Sequence, residues 1–149
     1  MTVDERLIRR CIILALESQK AGDSPFGSLI TQGNRVIVET RNRMKLDNDI
    51  SAHAEILAIR EVQKQTGASD LSQFAIYSSC EPCPMCSFMI REAKFHKVVF
   101  SLRSPFMGGY SHWKILQDKG LEKLKPFFSE IPEIKAGILE EDMKKALDT

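Results

Sequence analysis

Past a short hairpin signal, the chain alternates strand-like runs with segments of helical period, and this restricts its fold more than any other feature. Phe26 to Thr31 and Arg35 to Thr40 have strand character around Gln32-Gly33-Asn34. Ser51 is a plausible start for a helix running through His53 to Ile59, with Gly67 as its C-cap. Phe74 to Ser79 and Lys97 to Leu102 read as buried strands, with a helix over Met85 to Lys94 between them. Tyr110 to Gly120 is expected to be helical, Ile134 to Leu139 a last strand, and Glu140 to Leu147 a terminal helix. Ahead of all these, Thr2-x-x-Glu5 offers a capping box to a helix whose apolar stripe is Leu7, Ile8, Cys11, Ile12, Ala15 and Leu16. Alternation of this kind favours parallel strands covered by helices on both faces. The expected class is α/β: a three-layer α/β/α sandwich around a central mixed five-stranded sheet.

The 149 residues contain no repeat, low-complexity tract or linker, so residues 1–149 are read as one domain. A net charge of +1 gives no general attraction to phosphate or anionic membrane. No apolar run is long enough to span a bilayer and the first residues do not read as a signal peptide, so the expected setting is soluble and cytoplasmic, with no membrane partner. Four cysteines are too few for a disulfide scaffold, and three of them fall within residues 80–86. That clustering points to metal chemistry before bridges.

Cys83-Pro84-Met85-Cys86 has the spacing that lets two thiolates hold one tetrahedral ion. Both cysteines fall near a predicted helix start, where the partial positive charge of the helix end favours thiolate. His53 is placed in the first turn of the preceding helix. His53, Cys83 and Cys86 are therefore the candidate Zn²⁺ ligands, and three protein donors leave a fourth position open, as in catalytic sites. Glu55 is the candidate catalytic proton carrier. In a regular helix residues 53 and 55 point roughly 200° apart, so both can face one site only where the chain is just entering the helix. A rival iron–sulfur reading of Cys80-x-x-Cys83-x-x-Cys86 lacks a good fourth ligand, because Cys11 sits on the first helix's apolar stripe.

His53-Ala54-Glu55 followed by Pro82-Cys83-Pro84-Met85-Cys86 matches the H-x-E…P-C-x-x-C signature of zinc deaminases. With these motifs the chain resembles the cytidine-deaminase-like superfamily, in particular the branch holding guanine deaminases and tRNA adenosine deaminases. Pro25-Phe26-Gly27, Asn42, Ser79-Cys80-Glu81, Val98-Val99-Phe100 and Ala136-Gly137-Ile138-Leu139-Glu140-Glu141 extend the likeness over nearly the whole chain. The resemblance implies that His53, Cys83 and Cys86 bind zinc and that Glu55 shuttles protons. It also implies that Asn42 hydrogen-bonds the base, with Phe26, Ala54 and His112 as further substrate-binding candidates. The implied chemistry is hydrolytic exchange of an exocyclic amino group for a carbonyl, with release of ammonia, and the implied assembly is a homodimer.

Two departures bear on the substrate. Guanine deaminases use an Asp after the fourth strand, whereas Ser101 to Trp113 here contains no carboxylate. Relatives acting on tRNA carry Asp where Ser104 stands, small residues at Phe88 and Met89, and a basic C-terminal helix. From Lys114 onward this chain has seven Lys and eight acidic residues. A phosphate-binding tail should be basic. The expected substrate is therefore a free nucleobase, nucleoside or related small heterocycle. Transfer RNA is the disfavoured alternative, supported by the basic trio Arg41, Arg43 and Lys45. A non-catalytic zinc-stabilised binding module, with Phe88 and Met89 filling the pocket, is a third reading. Cys80 is expected to be a buried strand-end thiol, and Glu92 and His96 solvated surface residues.

Overall fold

A computed structural model describes residues 1–148. Helix α1, Val3–Lys20, begins where the sequence places its capping box. The Glu5 amide donates to the Thr2 hydroxyl at 3.1 Å and the Thr2 amide to the Glu5 carboxylate at 3.0 Å. Strands β1, Gly27–Gln32, and β2, Arg35–Arg41, form the expected hairpin through Gly33, whose φ is +60°. Helix α2, Ala54–Thr66, stops at Gly67, where φ of +70° suits a residue without Cβ. Strand β3, Phe74–Cys80, leads into helix α3, Pro84–Ala93. Strand β4, Lys97–Leu102, strand β5, Glu133–Ala136, and helix α4, Glu140–Leu147, complete the chain.

The sheet order is β2-β1-β3-β4-β5, with β1 antiparallel to both neighbours and β3, β4 and β5 mutually parallel. This is the mixed five-stranded sheet expected from the alternation. On one face, Leu7, Ile8, Cys11 and Ala15 of α1 and Met143 of α4 pack on Leu29, Tyr77 and Val99. On the other, Ala58, Ile59 and Val62 of α2 and Ile90 of α3 pack on Ile30, Ile76, Val98 and Phe100. The three layers are therefore closed by two separate apolar clusters. Asp4 adds a polar tie beneath α1, accepting from the Tyr77 hydroxyl (2.6 Å), Lys97 (2.9 Å) and Lys135 (2.7 Å).

Three expected elements differ. The strand expected over Ile134 to Leu139 ends at Ala136, because Gly137 takes a φ of +77° and turns the chain out of the sheet. The helix of residues 54–66 starts three residues later than expected, because the Asp49 carboxylate captures both the amide and the hydroxyl of Ser51 and holds it in a turn. Residues 110–119 form turns instead of a helix. Their backbone groups are taken by buried side chains: Glu81 accepts from the amides of Tyr110 and Ser111, and Arg91 donates to the carbonyls of Ile115, Leu116 and Asp118. At Gly108 a Cβ would overlap the Glu81 carboxylate, so only glycine lets this segment close over it. Among the described residues no helix is long and apolar enough to cross a membrane.

Candidate active site

Antiparallel pairing brings the start of β1 level with the end of β3, since Ser28 lies opposite Ser78. The N-termini of α2 and α3 converge at this same end of the sheet, outside the carboxyl ends of the parallel strands where open α/β folds hold their ligands. His53 is the N-cap of α2 and Cys83 the N-cap of α3, both in extended conformation and neither making a side-chain capping bond. Pro84 at the first helical position fixes the entry to α3. Cys86 follows within the first turn and is fully buried.

The Nδ1 atom of His53 lies 3.5 Å from Cys83 Sγ and 3.4 Å from Cys86 Sγ, and all three donor atoms fall within 4.8 Å of one another. A tetrahedral ion with metal–sulfur bonds of about 2.3 Å and metal–nitrogen bonds of about 2.0–2.1 Å requires nitrogen and sulfur roughly 3.5 Å apart. The donor set and its spacing therefore fit zinc. A hydrogen bond from the Cys86 thiol holds Cys83 down at about 4, with His53 adding to the effect. The same bond, together with burial, keeps the proton on Cys86 when no metal is present.

Glu55 occupies the first turn of α2 and is 8% exposed. Burial pushes its carboxyl up to about 7, against a hydrogen bond from its own backbone amide. Because His53 precedes the helix, it and Glu55 are not bound by the 100° step between helical neighbours and share one cavity.

That cavity, of about 280 Å³, is lined by Phe26, Asn42, Met44, His53, Glu55, Cys80, Glu81, Cys83, Leu102, Arg103, Ser104 and Met107. A larger, shallower groove between β2 and α2 contains none of the chemistry-bearing residues. Of the residues singled out in the sequence, Phe26, Asn42, His53, Glu55 and Cys83 meet at the cavity, with Cys86 against His53. Ala54 is buried beside it, its carbonyl accepting from the Thr40 hydroxyl at 2.7 Å. His112 lies outside the lining, exposed and edge-on to Trp113 at 4.5 Å, because Glu81 draws the neighbouring backbone inward. Glu92 and His96 are exposed, and Cys80 ends β3 as a mostly buried thiol outside the metal trio. Phe88 packs edge-on against Phe128 at 5.3 Å and Met89 against the core, so neither fills the cavity.

Met44, Leu102, Arg103 and Met107 were not apparent as lining residues, since nothing in their local spacing marks a wall built from the segment after β2 and from the end of β4 with the segment that follows it. Asp23 and Glu81 carry only a weak signal in the sequence: polar residues inside a turn and inside the cysteine run.

Three donors, two of them lining a cavity beside a buried carboxyl, form the arrangement of a catalytic zinc centre and not of a closed structural one. The chain belongs to the cytidine and deoxycytidylate deaminase zinc-binding family, whose model matches residues 1–102. It is 43% identical over 83 residues to the guanine deaminase of Bacillus subtilis (strain 168), covering 55% of this chain and 53% of that protein. The chain thus matches about half the length of that relative. It is 31% identical over 144 residues to the tRNA-specific adenosine deaminase of the same organism, covering 95% of this chain and 84% of that one. A structure solved in a study of A-to-I editing by tRNA:A34 deaminases superposes with a TM-score of 0.83 at 24% identity, covering 95% of this chain and 98% of the other, and shares the fold.

Proposed function

We propose that the protein is a zinc-dependent hydrolytic deaminase acting on a free nucleobase, nucleoside or related heterocycle, converting an exocyclic amino group to a carbonyl with release of ammonia. The observation that carries this reading is Glu55, buried in the first turn of α2 and lining one small cavity together with two of the three zinc donors. His53, Cys83 and Cys86 would hold the metal, which when bound acts as a Lewis acid that makes a water acidic enough to ionise near neutral pH. Buried in the cavity beside two of the donors, Glu55 is placed to take and give a proton at the reacting atoms. It accepts one proton of the attacking water and delivers it to the ring nitrogen next to the amino-bearing carbon; it then takes the proton of the new hydroxyl group as the carbonyl forms and passes it to the amino group, which departs as ammonia. Phe26 offers a ring face at the cavity mouth, Asn42 a hydrogen bond to the heterocycle, and Ala54 its backbone amide at the start of α2.

A free heterocycle is favoured over RNA by the state of the basic loop. Arg43 forms a three-bond pair with Asp47 and Arg41 lies 3.8 Å from Glu17, so two of its three cations are already matched by carboxylates. The cavity of about 280 Å³ has room for a single base under either reading. The second reading, adenosine deamination in tRNA, is supported by the near-full-length similarity to a tRNA-specific enzyme. Ammonia release from a panel of purines, pyrimidines, nucleosides and triazines, run beside an anticodon stem-loop, separates them. Turnover of a free heterocycle with an inert stem-loop supports the first reading, and the reverse supports the second. Cysteines held as zinc ligands or buried thiols, with none in a disulfide among the described residues, support a reducing, cytoplasmic setting, and exposed Met85 and Phe88 on α3 support a homodimer.

A further inference from the structure

Asn42 follows the last residue of β2 and is 3% exposed. Its backbone is held on both sides: its amide donates to the Phe26 carbonyl at 3.0 Å, and its carbonyl accepts from the Ser18 hydroxyl at 3.1 Å. Its side chain meets Asp23, Nδ2 lying 2.7 Å from Asp23 Oδ1. Asp23 is 4% exposed and accepts three further hydrogen bonds, from the amides of Ser24 (2.7 Å), Lys45 (2.9 Å) and Leu46 (2.9 Å). These bonds hold Asp23 in place and tie the cavity wall that carries Met44 to the end of α1.

An ionised carboxylate only accepts hydrogen bonds, whereas a side-chain amide has one donating and one accepting end. The donating end of Asn42 must therefore turn toward Asp23. Among the described residues no donor reaches Asn42 Oδ1, while Asn42 itself lines the cavity. An acceptor that faces the cavity without a partner in the chain is free to take its donor from a ligand.

We propose that Asp23 is a specificity-positioning residue: by holding Nδ2 it fixes the side chain of Asn42 so that Oδ1 is offered to the ligand, selecting heterocycles that present an N–H at that wall. This deepens the free-heterocycle reading of the same cavity and rests on it. Asp23 touches no reacting atom. It acts through Asn42, and its replacement by asparagine keeps the shape but allows either amide orientation.

The test uses zinc-loaded protein in four forms: wild type, Asp23→Asn, Asn42→Ala and the double variant. The probes are hypoxanthine and its 1-, 7- and 9-methyl derivatives, each lacking one ring N–H or crowding one ring acceptor, with binding followed by calorimetry. In wild type, methylation at one N–H position is expected to weaken binding by about tenfold beyond its effect in Asp23→Asn, in line with one hydrogen bond to a fixed acceptor. In the Asn42→Ala background, adding Asp23→Asn is expected to change nothing further. Equal losses in wild type and Asp23→Asn at every position, or the same loss from Asp23→Asn with and without Asn42, would overturn the proposal. Nitrogen-15 spectra of the ligand-free protein give a second arm: one Asn42 Nδ2 proton is expected to exchange with water at least about tenfold more slowly in wild type than in Asp23→Asn. Equal exchange overturns the lock. If no hypoxanthine binds while the slow proton is present, the free-heterocycle reading fails for these bases and the lock stands on the spectra.

Discussion

His53 and Cys83 occupy the same position in two different helices: each is an N-cap in extended conformation whose side chain leaves the helix end uncapped. Both side chains turn instead toward one point, with Nδ1 and Sγ 3.5 Å apart. The usual capping residues, Ser, Thr, Asp and Asn, satisfy a first-turn amide. Here that satisfaction is given up, leaving two positively polarised helix ends aimed at one cavity, a setting that stabilises thiolate.

Replacement of any of the three donors is expected to abolish stoichiometric zinc. His53→Ala, Cys83→Ser and Cys86→Ser should each weaken zinc binding by more than about 100-fold, exceeding the 10–100-fold typical of losing only a supporting hydrogen bond. Metal analysis after dialysis against a mild chelator measures it. Full zinc retention in Cys83→Ser would remove Cys83 from the set.

Glu81 should act as a stability residue of the cavity rim. It accepts from the amides of Ser104 (3.1 Å), Tyr110 (3.0 Å) and Ser111 (2.7 Å), and from the Ser111 hydroxyl. Glu81→Gln turns one accepting oxygen into a donor facing amide N–H groups. The expected destabilisation is about 1–3 kcal/mol, read from the midpoint of urea unfolding. An unchanged midpoint would mean that the loop is held by other contacts.

Acid should weaken the fold through Asp4. Burial alone would raise its carboxyl, but hydrogen bonds from Lys135, Tyr77 and Lys97 outweigh that and hold it at about 2, below the ordinary value of 3.8. A carboxylate depressed in the folded state contributes stability that is fully present above its unfolded value and is lost as pH falls toward the folded one. The loss is therefore expected between about pH 4 and pH 2, amounting to about 2 kcal/mol. Asp4→Asn should be less stable than wild type at pH 7, with the gap closing near pH 2. A gap independent of pH would assign the effect to packing alone.

Much of this was legible in the sequence because the signals are local. The capping box at Thr2, the glycine stop at Gly67 and the β-branched core of β4 each act over a few residues. The zinc trio was legible because its residue types and spacing are chemically restrictive. The turns of residues 110–119 were not, since their backbone partners are Glu81 and Arg91, distant in sequence and unmarked by any periodicity. The late start of α2 was hidden for a related reason, Asp49 outcompeting the helix for Ser51. Asp23 reads as an ordinary turn residue until the fold brings Asn42, Lys45 and Leu46 to it.

The most direct test of the central claim compares wild type with Glu55→Gln, both zinc-loaded, for ammonia release from the free-heterocycle panel. Loss of a general acid–base group typically lowers the rate by about 10²–10⁴-fold. The expected result is turnover of at least one free heterocycle by wild type, a fall of that size in Glu55→Gln, and equal zinc content in both. Undiminished ammonia release by zinc-replete Glu55→Gln would contradict the assignment of Glu55 as the proton carrier.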